Sequence, residues 1–145
     1  MSVNGNNHKN IEKYKNNAIK SLTDLALYDS IIIEINSETL RNVLDNLIKN
    51  GNTNEFYDEM ESIKNEFTKC FDQLETTLEK KTAIHKYCIF LHNINGVVDQ
   101  LNMINDIQLN LLYFDPHEFN CGDSIIYNAL GHLSSKLNVN QCILL

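Results

Sequence analysis

The chain has 145 residues, a formal net charge of −7 and a pI near 5.1. Its hydrophobic fraction of 43% is typical of a folded domain and argues against general disorder. The acidic balance repels phosphate backbones and therefore argues against direct binding to DNA or RNA. No apolar run has the length of a transmembrane helix, no secretory signal pattern is present, and the cysteines lack metal-ligand spacing. We expect one reduced intracellular domain.

The first third of the chain predicts a polar tail followed by two helices. Residues 1–10 are predicted to be a disordered tail. Apolar residues at helical spacing predict a first helix over residues 11–35, although the β-branched run at its end also fits an extended segment. Ser37 is a suitable N-cap for a second helix, which Asn50-Gly51 should end.

The clearest pattern is an apolar stripe along a long third helix, which Thr53 could cap and which should continue to about His92. A break near residues 80–82 is an alternative, although no helix-breaking residue occurs there. The members of this apolar stripe recur at steps of three and four: Phe56, Met60, Ile63, Phe67, Cys70 or Phe71, Leu74 and Leu78. We expect the stripe to be uncovered in the isolated chain, to bind partner helices and to cause self-association.

The last third predicts a turn at residues 93–96 and a fourth helix that ends before Pro116. Asp123 could cap a last short helix. The predicted fold class is all-α, an elongated helical hairpin or bundle with one long central helix and short flanking helices. Residues 11–113 form the predicted helical domain, and residues 114–145 an extra loop and short helix.

Catalytic chemistry has little support in the sequence. No P-loop, GxSxG, HExxH or dinucleotide fingerprint occurs. His85 and Cys88 lie one helical turn apart but lack a second pair of metal ligands. We therefore predict that the protein is not an enzyme and holds no cofactor or metal.

The C-terminal residues Cys142-Ile143-Leu144-Leu145 fit the C-a-a-X pattern with Leu last, which is the geranylgeranyl form. Lys136 is the one nearby basic residue, and a single lipid chain anchors a protein weakly. Lipidation of Cys142 would make the protein a peripheral membrane adaptor. This remains an alternative function.

Three segments in chain order carry a family resemblance. The first is the SLxxL segment at residues 21–25. The second, and most specific, is an EFxxxxDQLExxL string: Glu66-Phe67, Asp72-Gln73-Leu74-Glu75 and Leu78. The third is a QxxxxxDIxxxLL pattern: Gln100, Asp106-Ile107 and Leu111-Leu112. Over about residues 11–112, the chain resembles the Mediator complex subunit 29 family, the animal group that includes the Intersex protein.

The resemblance implies a structural subunit of the nuclear Mediator coactivator, with no direct contact to nucleic acid. Such a subunit would relay signals from transcription factors to RNA polymerase II through helix–helix contacts with other Mediator subunits. The predicted partner-binding residues are Phe56, Met60, Ile63, Phe67, Leu74, Leu78, Asp72, Gln73, Glu75, Asp106, Ile107 and Leu111.

The chain also departs from that family. The Gln- and Pro-rich tail and the Pro-rich loop of the family are absent, and residues 113–145 have no counterpart in it. A generic coiled-coil subunit of another complex therefore remains a second alternative.

Overall fold

The computed structural model describes residues 3–26, 37–104 and 108–114. Within these ranges the chain forms four helices and no strand: α1 (Val3–Ala26), α2 (Ser37–Asn50), α3 (Thr53–Asp72) and α4 (Thr77–Ile104). The predicted all-α class is confirmed, and the longest helix is α4. Residues 108–114 follow α4 as a non-helical segment, which we call the strap.

The first helix begins earlier than the sequence predicts. α1 starts at Val3, so residues 3–10, predicted to be a disordered tail, belong to the helix and that prediction is wrong. Relative to Ala, Asn and Lys each cost a helix about 0.7 kcal/mol at most and Gly5 costs about 1 kcal/mol, and no proline interrupts the backward extension from Ile11. The predicted helix end at residue 35 lies outside the described residues.

The end of α2 follows its sequence signals. α2 ends at Asn50, and Gly51 adopts a positive φ of 67°, a conformation that glycine allows without steric cost. Asn52, and not Thr53, is the N-cap of α3, because its side-chain oxygen accepts a hydrogen bond of 3.3 Å from the Glu55 amide.

The single helix predicted from Thr53 to His92 is wrong, because two helices occupy this stretch. α3 closes where the Gln73 and Leu74 amides each donate a 3.1 Å bond to carbonyls of its last turn. α4 is then capped by Thr76, whose hydroxyl accepts from the Glu79 amide at 3.1 Å and donates to the Glu79 carboxylate at 2.8 Å. This Thr-x-x-Glu arrangement resembles a capping box and starts a helix without a glycine or proline.

The predicted turn at residues 93–96 is also wrong, because these residues lie in the middle of α4. Asn93 is buried and donates to the Ser21 hydroxyl of α1 at 3.1 Å. Gly96 lies against the Tyr14 ring so closely that a Cβ would overlap it. The turn-forming residue types therefore serve here to bring α1 against α4.

The core draws apolar side chains from all four helices and from the strap. Leu22 of α1, Leu44 of α2, Phe67 of α3 and Ile84 of α4 are nearly or fully buried, and Phe114 of the strap joins them. α1 packs along α4, and α2 packs against both α1 and α3. The described helices thus enclose one common core.

Candidate functional site

The apolar stripe of α3 is buried inside the chain itself. Six of its members are between 0 and 7% exposed: Phe56, Met60, Ile63, Phe67, Cys70 and Leu74. Phe71, the alternative to Cys70 in the pattern, is 1% exposed. The prediction that these apolar residues form an uncovered partner surface is therefore wrong. Periodicity identified a buried helix face, but it cannot tell whether the covering residues belong to the same chain.

Aromatic contacts show what covers the stripe. The Phe67 ring stacks on Tyr87 of α4 with centroids 4.3 Å apart and planes 9° apart. Tyr87 in turn meets the Phe114 ring of the strap edge-on at 6.4 Å. The expected self-association of the isolated chain depended on an open stripe, so that expectation loses its basis.

One part of the predicted partner surface does face solvent, at the connection between α3 and α4. Asp72, Gln73 and Glu75 are exposed, whereas Leu74 between them is 6% exposed and anchors the connection to the core. Leu78, in the first turn of α4, is 73% exposed, so its predicted solvent access is retained. We call Asp72, Gln73, Glu75 and Leu78 the junction surface.

Hydrogen bonds hold the backbone of the junction surface in one shape. The amides of Gln73 and Leu74 close α3, and Thr76 caps α4 within the same connection. The surface combines two carboxylates, an amide and an exposed leucine, and it therefore suits a partner that offers basic and apolar side chains. Since the backbone is ordered beforehand, little conformational entropy is lost when a partner binds there.

Of the remaining predicted site residues, Leu111 lies in the strap, away from the junction surface. Leu111 is half-buried and packs against the core. Asp106, Ile107 and Cys142 lie outside the described residues.

A cleft of about 350 Å³ between α1 and α4 is a feature that the sequence analysis missed. Its lining residues are Ser21, Asp24, His85, Lys86 and Ile89. The Ser21 hydroxyl donates to the Asn17 carbonyl at 2.7 Å and accepts from Asn93 at 3.1 Å. The hydroxyl proton is thus used inside α1, which gives this serine a structural role instead of that of an activated nucleophile.

His85 and Cys88, which lie one helical turn apart on α4, differ in their burial. Cys88 is fully buried, whereas His85 lines the cleft. Within the part of the chain that the structure describes, no group of three or more His, Cys, Asp or Glu side chains is placed to hold a metal ion.

Lys15 and His92 are among the groups with shifted pKa values. Burial alone would lower the pKa of Lys15, but hydrogen bonds to Asp45 at 2.8 Å and Glu12 at 3.4 Å outweigh it and raise the pKa above its usual value. Burial lowers the pKa of His92 below 6.5, and its Nδ1 finds no hydrogen-bond partner among the described residues. Lys15 joins α1 to α2, whereas His92 favours its neutral form.

A second missed feature is the set of side chains that hold the strap. Asn95 and Asn102 of α4 each make two hydrogen bonds to one strap residue, Leu112 and Leu109 respectively. Tyr57 of α3 accepts a hydrogen bond from the Asn110 amide at 3.0 Å. We call Tyr57, Asn95 and Asn102 the clamp. Nothing in their sequence spacing signals this role until the path of the strap is known.

None of the described helices combines the length and the apolar character needed to cross a membrane. Comparisons with protein-family models, with curated proteins and with solved structures found no match to this chain.

Proposed function

We propose that this protein is a non-catalytic, protein-binding subunit of a multiprotein complex and, in the form that its sequence resemblance implies, a nuclear subunit of the Mediator coactivator. One observation supports this proposal above the others. The Asp72-Gln73-Leu74-Glu75 element, the most specific part of the resemblance, lies in an exposed connection whose polar side chains face solvent. Its role in a Mediator subunit would be to bind sister subunits and so to relay regulatory signals from transcription factors to RNA polymerase II.

The pattern of buried and exposed side chains within this element fits protein binding. Leu74 is 6% exposed and fastens the connection to the core, while Asp72, Gln73 and Glu75 project outward. A partner that pairs with these polar groups gains specificity, because a wrong partner would bury them without hydrogen bonds. The apolar stripe of α3 then supports the junction surface from below instead of contacting the partner itself.

Leu78 supplies the apolar part of the contact. It is 73% exposed, and full burial of a leucine side chain contributes about 1.5–3 kcal/mol. The carboxylates beside it favour a partner helix with Lys or Arg next to an apolar residue. The chain would thus act as a scaffold, with no chemical step of its own.

Affinity purification with mass spectrometry tests this proposal. A tagged full-length chain is expressed in the cells of its source, and the co-purifying proteins are compared with those of a Gln73→Ala/Glu75→Lys/Leu78→Ser variant. The matched control is Met103→Ser, because Met103 is also an exposed apolar residue, 68% exposed, near the opposite end of α4.

We expect Mediator subunits with the wild-type and control chains and strongly reduced recovery with the junction variant. Recovery of a different complex by the wild-type chain would refute the Mediator assignment while leaving the class of protein intact. Equal recovery by the junction variant would show that partners bind elsewhere.

A further inference from the structure

We infer that the solvent-facing side of α1 is a second partner surface, which binds an acidic helix of another protein. Three exposed lysines define this surface, Lys9, Lys13 and Lys20, and we call them the lysine face. The lysine face is positive, whereas the junction surface between α3 and α4 is negative. The inference goes beyond the Mediator assignment and does not depend on it.

The helical repeat of α1 places the three lysines in one line. They occupy positions i, i+4 and i+11, which lie within about 40° of one another at ~100° per residue and span about 16.5 Å at ~1.5 Å per residue. Asn16, which is exposed between Lys13 and Lys20 on the same side of the helix, is neutral. Asp24 lies one turn beyond Lys20 and ends the positive line.

A lysine on the opposite, buried side of α1 holds two carboxylates. The Lys15 ammonium lies 3.0 Å from a carboxylate oxygen of Glu12 and 2.8 Å from one of Asp45 in α2. In the part of the chain that the structure describes, no ion pair reaches the three members of the lysine face. Their positive charge is therefore left to be balanced from outside the chain.

Exposed lysines on α3 behave differently. Lys64 pairs with Glu61 and Lys69 with Glu66, each at 3.2 Å and each with a carboxylate three residues earlier. The chain has 19 acidic and 12 basic residues, so the lack of ion pairs on the lysine face does not reflect a shortage of carboxylates. Charge complementarity therefore indicates that a partner supplies them.

The spacing of the lysine face selects a helix as that partner. The steps from Lys9 to Lys13 and from Lys13 to Lys20 are about 6 and 10.5 Å, which an extended chain covers in about two and three residues. Side chains alternate along an extended chain, so its second and third carboxylates would face opposite sides. A helix aligned with α1 presents acidic residues at i, i+4 and i+11 on one side, or at i, i+7 and i+11 when it runs antiparallel.

Other anionic partners fit the lysine face less well. The net charge of −7 repels a long polyphosphate such as nucleic acid, whereas a short acidic helix carries few charges beyond the matched ones. Over residues 9–25, α1 exposes no large apolar side chain that could insert into a lipid surface. An acidic protein helix is therefore the partner that this surface favours.

The probe is a fluorescent, alanine-based peptide of about 20 residues, long enough to form helix in water, with glutamates at i, i+4 and i+11. It is titrated into the full chain at low salt and followed by anisotropy. We expect Lys9→Gln/Lys13→Gln/Lys20→Gln to weaken binding about tenfold, since each exposed ion pair contributes about two- to threefold. Arginine at the same three positions keeps the charge and should retain the affinity.

The matched control is Lys49→Gln/Lys64→Gln/Lys69→Gln, which changes the net charge by the same amount at three positions outside α1. This variant should bind the peptide nearly as well as the wild-type chain. A second peptide of identical composition carries its glutamates at i, i+5 and i+9, on different sides of its helix. We expect it to bind several-fold more weakly, because it cannot pair with all three lysines at once.

Four outcomes would overturn the inference. The first is no saturable binding of the matched peptide by the wild-type chain at low salt. The second is an equal loss of affinity in the two glutamine variants, both with native circular dichroism, because net charge alone would then explain it. The third is equal affinity for the two peptides. The fourth is tighter binding to a DNA duplex or to phosphatidylserine vesicles that the glutamine variant of the lysine face loses, because phosphate groups would then be the ligand.

Discussion

Buried asparagines on α4 show how a polar side chain can belong to a helical core. Asn93 and Asn95 are 8% and 0% exposed, yet each has a fixed hydrogen-bond partner, on Ser21 and on Leu112 respectively. Burial of an amide without partners costs about 1–3 kcal/mol, so these bonds make the burial tolerable. Asparagine beside glycine usually indicates a turn, so the sequence predicts one at residues 93–96, where α4 in fact continues.

Gly96→Ala should destabilise the protein although alanine is the better helix former. The added Cβ would overlap ring atoms of Tyr14, which cannot move away without leaving the α1–α4 contact. Overpacking costs about 1–3 kcal/mol, against about 1 kcal/mol of gained helix propensity. Urea unfolding should therefore show a lower free energy of unfolding for Gly96→Ala. In a Tyr14→Ala background the same change should cost less, and a stabilised single variant would contradict this packing.

His92 should make the stability of the fold depend on pH below neutrality. Its pKa is lowered by burial, so the unfolded chain binds a proton at a higher pH than the folded chain does. The contribution of neutral His92 to the free energy of unfolding is therefore present above pH 6.5 and is lost as the pH falls through the folded-state pKa. We expect thermal denaturation at pH 7.5 and pH 5 to show a smaller loss of Tm for His92→Gln than for the wild-type chain. An identical loss in both chains would assign the pH dependence to other groups.

At the scale of helices, the ends with strong local signals were predictable and the others were not. Asn50-Gly51 ends α2 as predicted, because glycine alone adopts the required positive φ freely. The break between α3 and α4 contains no glycine or proline, and its signal is the Thr76-x-x-Glu79 pair. A search for capping boxes would have found this boundary, since the pattern is visible in the sequence.

Thr76→Ala should destabilise the protein by about 1 kcal/mol, through the loss of the α4 cap. The matched control is Thr77→Ala, because Thr77 is the exposed neighbouring threonine within α4. Chemical denaturation should show a lower unfolding midpoint for Thr76→Ala than for Thr77→Ala. Equal midpoints would mean that the cap contributes nothing to stability.

Phe67→Ala should cost about 3–5 kcal/mol of stability, because a buried ring stacked on Tyr87 is replaced by a cavity. Leu74→Asp tests the same burial beside the connection between α3 and α4. Since Leu74 is 6% exposed, that change would introduce a carboxylate into the core and unfold the chain. Calorimetry on both variants measures these losses of stability. Native-like stability for either variant would mean that the stripe is not buried.

For the whole molecule, burial of the stripe removes the reason to expect self-association of the isolated chain. Among the described residues, the exposed large apolar side chains are Leu78, Met103 and Tyr113. Leu78 and Met103 lie near opposite ends of α4, too far apart to form one patch. We therefore expect the isolated chain to be monomeric in sedimentation velocity at micromolar concentration. Concentration-dependent association that the Leu78→Ser/Met103→Ser variant retains would contradict this.

The fold class was predictable because hydrophobic periodicity reports directly on helices. The candidate site was predictable only in part, since the same periodicity does not say which chain covers an apolar face. The exposure of Asp72, Gln73 and Glu75 follows from the end of α3 at Asp72. The sequence predicts a helix that continues past this point, so their exposure could not be predicted. The clamp could not be predicted, because its hydrogen bonds join α4 to a later segment of the chain and such contacts leave no local pattern in the sequence.

Main-chain recognition by Asn95 and Asn102 has a consequence for how the strap can change in evolution. The identity of the exposed residue Asn110 matters little to the clamp, because only its amide is bound. The number of residues between Leu109 and Phe114 matters greatly, since losing or gaining one would shift the aromatic anchor out of phase with the asparagines. Homologous chains should therefore tolerate many replacements in this stretch but very few insertions or deletions.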